Sequence, residues 1–326
     1  MKSAANISIH ESQFPENVRR DLLESLRSRK INHKFHYDSV KQTQKWLALH
    51  QQFSPSRSDE NVRAIYKRGF EAAAAKTRSK SVHVIGLGCG GGQKDARLLK
   101  LLKSRGKEIF YTPCDVSIAM VLTARQAAFA VLPDKNCFPF VCDLATAKDL
   151  LDFFEKQKIK EATRLLTFFG MIPNFEPQNI LPKLASLIRP KDSLLFSANL
   201  APGKNYADGM NKILPQYDNP PTRDWLTTFL LDLGVEKSDG ELKFEIATGN
   251  FGLQRFVANF YFKRTRRIEI ENKVFNFKSG KKVRLFFSYR YTPQLAAKIL
   301  AAHRLEVCEQ WIAESGEEGV FLCRIK

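Results

Sequence analysis

Five glycines lie within residues 86–92 of this chain, in the order G-x-G-x-G-G-G. The apolar residues 82–85 precede them, and residues 94–102 follow with apolar side chains at helical spacing. The glycines are therefore predicted to form a turn between a strand and a helix, where backbone without side chains can approach a ligand closely. Such a turn indicates a nucleotide-type cofactor, and the alternative is a glycine-rich turn that holds no ligand.

Two carboxylates follow at the ends of the next apolar runs. Asp115 ends residues 108–115 and can bind the hydroxyls of a ribose, whereas Asp143 ends residues 140–143 and can bind the amine of an adenine. A nicotinamide-binding turn has G-x-G-x-x-G and an acidic residue about 20 positions later, and Asp115 fits that pattern as well. The close G-x-G spacing and the additional Asp143 favour S-adenosylmethionine (SAM) over other Rossmann-type cofactors. The residues predicted to bind SAM are Gly86, Gly88 and Gly90 at its amino acid portion, Asp115 at its ribose and Asp143 at its adenine.

A third position with ligand chemistry follows the apolar run 164–169. Asn174 lies a few residues beyond this run, in G-M-I-P-N-F, where open α/β sheets bind their ligands. Its amide offers both donors and an acceptor to a substrate, and Phe175 offers a packing face. The alternative is that Pro173 and Asn174 form an ordinary turn before the next helix.

The elements that must position these residues alternate between strands and helices. Residues 15–76 have the apolar spacing of helices. Five apolar runs typical of strands follow, with helix-like segments between them, near residues 82–86, 108–114, 137–142, 164–169 and 193–199. This alternation predicts a doubly wound parallel sheet. The predicted fold class is α/β, with a class I methyltransferase (Rossmann-like) sheet and a second α+β substrate lobe.

Beyond residue 200 the pattern changes. Alternating runs near residues 242–248, 255–263, 267–276 and 282–291 predict antiparallel strands, and a helix over 292–303 and a strand pair end the chain. We therefore predict four parts: a helical part (1–60), a SAM-binding core (61–200), an insertion (201–291), and a C-terminal helix and hairpin that complete the core (292–326).

The net charge of +18 bears on possible partners. Residues 27–30 and 263–267 are basic clusters, but most lysines and arginines are mixed with acids, and no RNA-binding signature or zinc finger accompanies them. Nucleic acid is therefore an alternative partner that the sequence does not favour. No apolar run approaches the roughly 20 residues of a membrane span, so we expect a cytoplasmic protein with no membrane partner. The spacing of cysteines and histidines predicts no metal site.

Four motifs together resemble a known family. They are the glycine turn 86–92, Y-T-P-C-D-V-S at 111–117, F-G-M-I-P-N-F at 169–175 and Q-Y-D at 216–218. Their order is similar to that of the histidine-specific, SAM-dependent methyltransferase family, a member of which makes trimethylhistidine for ergothioneine. The resemblance covers most of the chain. It implies a methyltransferase core built from the central segment and the C-terminal end, with a substrate lobe from the N-terminal helices and an insertion.

The resemblance also implies an acceptor site. Asn174 and Tyr217 match the Asn and Tyr that hold the substrate's amino and carboxylate groups, and they are the residues expected to orient the acceptor during catalysis. Ser288 matches a Ser near the substrate imidazole, but Phe286 stands where the family has a Glu that contacts this ring. Phe53 stands where an aromatic residue, usually Tyr, precedes a turn. The missing carboxylate removes a charge-assisted hydrogen bond of about 1.5 to 3 kcal/mol, which argues against histidine as the acceptor.

These observations predict a SAM-dependent methyltransferase that N-methylates an amino acid or a related small amine. Attack of a neutral nitrogen on the sulfonium methyl requires mainly positioning and desolvation from the protein. The sequence leaves open whether solvent or Tyr217 takes the proton. Two alternatives are a methyltransferase that acts on RNA or protein, suggested by the basic residues and the insertion, and a non-catalytic SAM-binding protein, suggested by Phe286.

Overall fold

The computed structural model describes residues 4–54, 59–157, 159 and 162–326. The chain divides into two compact units. The first unit consists of Met1–Gln13, Pro55–Leu200 and Tyr291–Lys326, and the second unit consists of Phe14–Ser54 and Ala201–Arg290. Within the described ranges, no helix has both the length and the apolar character needed to cross a membrane.

The regular elements are numbered here in chain order. The α-helices are α1 Pro15–Ser28, α2 Val40–Phe53, α3 Glu60–Lys76, α4 Gln93–Ser104, α5 Ile118–Ala128, α6 Leu150–Lys156, α7 Pro177–Leu187, α8 Tyr206–Tyr217, α9 Pro220–Asp232 and α10 Pro293–Ala302. The strands are β1 Ser8–Ile9, β2 Ser81–Leu87, β3 Glu108–Asp115, β4 Phe140–Val141, β5 Thr163–Phe169, β6 Ser193–Asn199, β7 Gly240–Thr248, β8 Gln254–Phe262, β9 Arg266–Ile270, β10 Lys273–Phe277, β11 Lys282–Arg290, β12 Leu305–Ile312 and β13 Glu318–Ile325.

The first unit contains a sheet with the strand order β1-β4-β3-β2-β5-β6-β13-β12. The strands from β1 to β6 run parallel, whereas β13 runs antiparallel to β6 and β12 antiparallel to β13. The inner strands β2, β5 and β6 consist mostly of buried residues, as a sheet covered by helices on both faces requires. The predicted α/β class with a Rossmann-like sheet is confirmed.

The connections between the strands identify the edge of the sheet at which α/β proteins bind ligands. From β2 the chain goes first to β3 and β4 on one side, and later to β5 and β6 on the other side. At such a reversal of strand order, the carboxyl ends of the strands leave a crevice where α/β proteins bind ligands. The glycine turn follows β2 and Asp115 ends β3, so both lie at this edge.

The sheet differs in detail from the predicted strand over 137–142. Only β4 is a strand there, and an isolated bridge joins Cys137 to Tyr111. Pro139 has no N–H to donate, and it interrupts the ladder between these two pairings. No strand or helix was predicted before residue 15, whereas β1 pairs in parallel with β4 at the sheet edge.

The second unit contains an antiparallel sheet in the order β11-β8-β7 and a separate hairpin of β9 and β10. The predicted antiparallel strands are therefore present, but the single run expected over 267–276 is this hairpin. Ile270 pairs with Lys273, so two residues connect the strands, and Glu271 in the connection has a φ of 53°. Left-handed backbone of this kind is what two-residue hairpins require.

A bulge in β11 decides which of its side chains share a face. Arg284 pairs with Asn259 and Phe286 with the next residue, Ala258, so Leu285 is an extra residue on β11. Beyond the bulge, Phe286 and Ser288 alternate with residues of the opposite face. Phe286 belongs to the apolar core of the second unit, which also includes residues of α9 and β8.

Candidate functional site

The glycine turn adopts a backbone that side chains would obstruct. Gly88, Gly90 and Gly92 have φ values of 64°, 52° and 72°. A Cβ on Gly88 would lie 2.5 Å from the side chain of Met171, and one on Gly92 would lie 2.6 Å from the backbone of Ala124. The turn between β2 and α4 therefore depends on glycine for its conformation and its close contacts.

Gly86 is needed for a different reason. It lies within β2, and a Cβ there would stand 2.2 Å from Oδ2 of Asp95. The Asp95 carboxylate is buried beneath the turn, where it accepts hydrogen bonds from the hydroxyls of Tyr111 (2.7 Å) and Thr167 (2.8 Å). Burial raises the pKa of Asp95 to about 6, although both hydrogen bonds oppose this rise. Asp95 thus ties α4 to β3 and β5 directly under the glycines.

Asp115 connects the end of β3 to the same turn. Its Oδ2 accepts a hydrogen bond from the N–H of Gly90, and its Oδ1 accepts one from the N–H of Ser117, each at 3.0 Å. Burial raises the pKa of Asp115, and the backbone N–H donors oppose that rise. A carboxylate has about four lone-pair positions, so two bonds leave it able to accept ribose hydroxyls as well.

Asp143 lies just beyond β4. Its N–H donates to Oγ of Ser12, and its Oδ1 accepts a hydrogen bond from the N–H of Ala145 at 2.8 Å. The side chain is buried, and the register that pairs Asp115 with Val141 brings the ends of β3 and β4 together. Two carboxylates and the glycine turn therefore follow three adjacent strands. This donor set fits SAM, because the turn is a cradle that a Cβ would fill and the carboxylates can receive hydroxyl and amine donors.

A buried polar network lies beside the turn, and its members were not among the predicted site residues. The Tyr66 hydroxyl donates to the Glu318 carboxylate, lies 2.7 Å from Oγ of Ser197 and accepts a hydrogen bond from Nζ of Lys94 at 2.6 Å. Ser197 Oγ also accepts the N–H of Gly170 at 2.9 Å. Burial, followed by the charge of Glu318, raises the pKa of Tyr66. The available sequence signal was Lys94, a cation in the first turn of the helix that follows the glycines, where the helix dipole disfavours a positive charge.

Asn174 ends a short 3-10 helix, Ile172–Asn174, that follows β5. Its N–H donates to the carbonyl of Met171 at 3.0 Å, and the residue is partly exposed. Because the Met171 side chain lies over Gly88, this segment is close to the glycine turn within the first unit.

Tyr217, Ser288 and Phe286 belong to the second unit. The hydroxyls of Tyr217 and Ser288 lie 2.9 Å apart, and Nη2 of Arg290 donates to the Tyr217 hydroxyl at 3.2 Å. The Tyr217 ring packs against Phe256, with 4.5 Å between ring centroids. Ser288 and Arg290 are buried, and Tyr217 is partly buried. Arg290 was not among the predicted site residues.

Phe286 is the apolar neighbour of this group. It is 7% exposed, and its ring centroid lies 5.7 Å from that of Trp225 and 5.0 Å from that of His33. Phe53 is the last residue of α2 and is 46% exposed, so it lies at the surface, outside the buried group. The turn predicted after Phe53 includes residues 55–58, which lie outside the described residues. The site roles of all these residues stay predictions.

The chain is similar to several known methyltransferases. A family model described as histidine-specific methyltransferase, SAM-dependent, matches residues 18–325. The N-methyltransferase imqF of Aspergillus flavus is 24% identical over 250 residues, which cover 74% of this chain and 67% of the relative. Among solved structures, magnesium protoporphyrin IX methyltransferase (ChlM) from Synechocystis PCC 6803 with bound S-adenosylhomocysteine has a TM-score of 0.45 and 13% identity, over 89% of this chain and 96% of its own. The 1,6-didemethyltoxoflavin-N1-methyltransferase of Burkholderia thailandensis has a TM-score of 0.42 and 11% identity, over 87% of each chain.

Proposed function

The chain belongs to the histidine-specific, SAM-dependent methyltransferase family, and from this membership we propose that it N-methylates an amino acid or a related small amine. That it is a SAM-dependent methyltransferase follows from the family match over residues 18–325. The nature of the acceptor is our proposal. A relative named as an N-methyltransferase, imqF, supports nitrogen as the atom that is methylated.

The observation that carries the proposal is the pair of hydroxyls on Tyr217 and Ser288, 2.9 Å apart, with Arg290 bonded to Tyr217. One hydroxyl proton is used between Tyr217 and Ser288, so the other hydroxyl and the Arg290 guanidinium offer donors to a carboxylate. Charge-assisted hydrogen bonds of this kind are the stronger ones. The Tyr217 hydroxyl can in addition accept a hydrogen bond from an amine. An acceptor with a polar amino acid end therefore matches this group.

Phe286 and Ser288 support an acceptor other than histidine. Phe286 supplies no carboxylate for an imidazole, and the Ser288 hydroxyl already interacts with Tyr217. An imidazole N–H placed against Phe286 would lose its hydrogen bond to water without gaining one from this side chain, which disfavours histidine there. We propose that an acceptor with an apolar or aromatic side chain packs against Phe286.

When bound, SAM supplies an activated methyl group on a sulfonium sulfur. The residues of the chain then have to bind the cofactor and the acceptor, orient them and remove water from between them. Asp115 and the glycine turn hold the ribose and the amino acid portion of the cofactor. We assign Asn174 and Tyr217 to orienting the acceptor amine. The amine must be neutral to attack, and its proton leaves either to solvent or to Tyr217. Because a Phe at position 217 has no hydroxyl, the pH profile of Tyr217→Phe separates these two routes.

The proposal is tested by isothermal titration. S-adenosylhomocysteine is titrated first, followed in the same cell by histidine and then by a panel of aromatic and aliphatic amino acids. We expect the cofactor product to bind, histidine to give no signal and at least one other amino acid to respond. A response to histidine alone would contradict the proposed specificity. A bound cofactor product with no response from any amino acid would contradict the proposed acceptor class.

The basic cluster over residues 263–267 does not favour a nucleic-acid acceptor. Within it, Arg264 and Arg266 pair with Asp239, and Arg267 pairs with Glu269 at 2.9 Å. Nζ of Lys263 lies 3.5 Å from the Glu241 carboxylate. Cations that are neutralised by neighbouring acids contribute little to binding a phosphate backbone.

A further inference from the structure

His33 is a histidine of the second unit that lies directly against Phe286. It begins a short 3-10 helix, His33–His36, beside the edge strand β11. Its ring centroid is 5.0 Å from that of Phe286 and 4.6 Å from that of Phe287. Part of the residue is accessible, but both ring nitrogens are buried, and neither has a hydrogen-bond partner among the described residues.

This arrangement is unusual for a buried polar group. Nearly all buried donors are hydrogen-bonded, because an unsatisfied donor loses its bond to water without replacement. Burial, together with the charges of His36, Arg284 and Arg255, lowers the pKa of His33 well below its ordinary value, so the ring is neutral near pH 7. A neutral imidazole always keeps one N–H donor and one acceptor nitrogen.

His36, three residues along the chain, differs from His33 in having a hydrogen-bond partner for its ring. Its Nε2 lies 2.8 Å from the carbonyl oxygen of Leu285, which satisfies its donor within the protein. Its ring packs against Trp225 and Phe229 in the core of the second unit. His36 therefore has a structural role in fixing the turn to β11, and the same turn presents His33 with its nitrogens unpaired.

Phe286 has the His33 ring beside it and is followed on its own strand by Ser288, which contacts Tyr217. Phe286 and Ser288 are two residues apart on one face of β11, which corresponds to about 7 Å along a strand. Ser288 contacts the Tyr217 hydroxyl, whereas His33 contacts the Phe286 ring. An aromatic acceptor that packs on Phe286 with its amino acid end at Tyr217 would extend its ring toward His33.

We propose that His33 is a specificity-determining residue that hydrogen-bonds a hydroxyl on the aromatic ring of the acceptor. A hydroxyl both donates and accepts, so it matches either tautomer of a neutral imidazole. The rings of Phe286 and Trp225 provide the apolar surroundings that an aromatic ring needs. This inference rests on the proposed function, because it assumes an amine acceptor at Tyr217, and it narrows that acceptor to a hydroxylated aromatic amine.

The test compares tyrosine with phenylalanine as probes, by titration into the protein saturated with S-adenosylhomocysteine. Wild type is expected to bind tyrosine at least tenfold more tightly than phenylalanine, because a site built for a hydroxyl rejects the analogue without it. His33→Phe is expected to bind the two probes equally, and His33→Asn to recover part of the preference through its amide. His50→Phe is the matched control, because His50 is another ring-stacked histidine of the second unit, 4.8 Å from Trp46, and its exchange should leave the preference unchanged.

Thermal unfolding of each variant separates specificity from folding. Removing a buried, unpaired imidazole costs no hydrogen bond, so His33→Phe is expected to unfold at the same temperature as wild type or higher. Equal binding of the two probes by wild type, or a preference that survives in His33→Phe, would overturn the role of His33 and leave the proposed function intact. If the cofactor product binds but neither probe does, while another amino acid responds, only this inference fails. If no amine responds at all, the proposed function fails, and this inference fails with it.

Discussion

Gly86 and Asp95 are fitted together so closely that a Cβ on residue 86 would stand 2.2 Å from the Asp95 carboxylate. The glycine lies in β2, and the carboxylate comes from the first turn of α4. This contact allows Asp95 to reach the hydroxyls of Tyr111 and Thr167 on the neighbouring strands. A glycine predicted to contact the cofactor therefore also makes room for the residue that supports the turn.

Gly86→Ala should destabilise the protein by about 1–3 kcal/mol, the usual cost of overpacking a buried site. The free energy of unfolding from urea denaturation measures this cost. Gly91→Ala, in the same turn, is the control, because the atoms nearest to its Cβ would be those of the Gln93 side chain, which can rotate away. Equal losses for the two variants would contradict the role of the Gly86–Asp95 contact.

The raised pKa of Asp95, about 6, predicts a pH dependence of stability. The folded state holds the Asp95 proton above the ordinary pKa near 3.8, so this contribution to stability is full below about pH 4 and is lost as the pH rises through 6. The loss amounts to about 3 kcal/mol, since one pKa unit corresponds to about 1.4 kcal/mol.

Asp95→Asn removes this titration. The free energy of unfolding of the variant, relative to wild type, should therefore increase as the pH rises from 4 to 7. Urea denaturation at several pH values measures the difference between the two proteins. A difference that stays constant over this range would show that Asp95 titrates normally in the folded protein.

Asp115→Ala should abolish cofactor binding. The variant loses the carboxylate predicted to bind the ribose and the hydrogen bond that holds the N–H of Gly90. Titration with S-adenosylhomocysteine measures the affinity directly. Asp152→Ala, at an exposed position on α6 in the same unit, should bind as wild type does. Unchanged affinity in Asp115→Ala would show that Asp115 does not bind the cofactor.

Tyr217→Phe and Ser288→Ala should weaken acceptor binding and leave cofactor affinity unchanged, because neither residue is among those predicted to bind the cofactor. Each lost hydroxyl is expected to raise the KM for the acceptor about fivefold, which corresponds to about 1 kcal/mol per hydrogen bond. Tyr261→Phe is the control, since its hydroxyl bonds Glu245 on the opposite sheet face. The acceptor assignment would fail if all three variants had the same KM as wild type.

Tyr66→Phe should destabilise the first unit by about 1–3 kcal/mol, because Glu318 and Lys94 lose a hydroxyl partner in a buried network. Thermal and urea unfolding measure the loss. Ser104→Ala removes a hydroxyl that bonds only the Leu101 carbonyl on an exposed helix face, so it should change stability by much less. If both variants unfold alike, the network does not stabilise the fold.

The sequence determined those features whose signals are local. The spacing of glycines 86–92 predicted a turn between a strand and a helix, and the structure has that turn between β2 and α4. Apolar runs of strand length predicted the Rossmann-like sheet, because a buried parallel strand needs an almost continuous apolar run. The motifs from residue 86 to residue 218 were sufficient to identify the family that the later comparison matched.

The tertiary structure alone decided features that depend on pairing between distant residues. Asp95 lay within a predicted helix, and only the packing of α4 against β3 and β5 placed it among Tyr111 and Thr167. The bulge at Leu285 depends on the register between β11 and β8, which no local pattern specifies, yet a shift of one residue exchanges the two faces of a strand. His33 had no distinguishing neighbours in the sequence, since its contact with Phe286 joins residues about 250 positions apart.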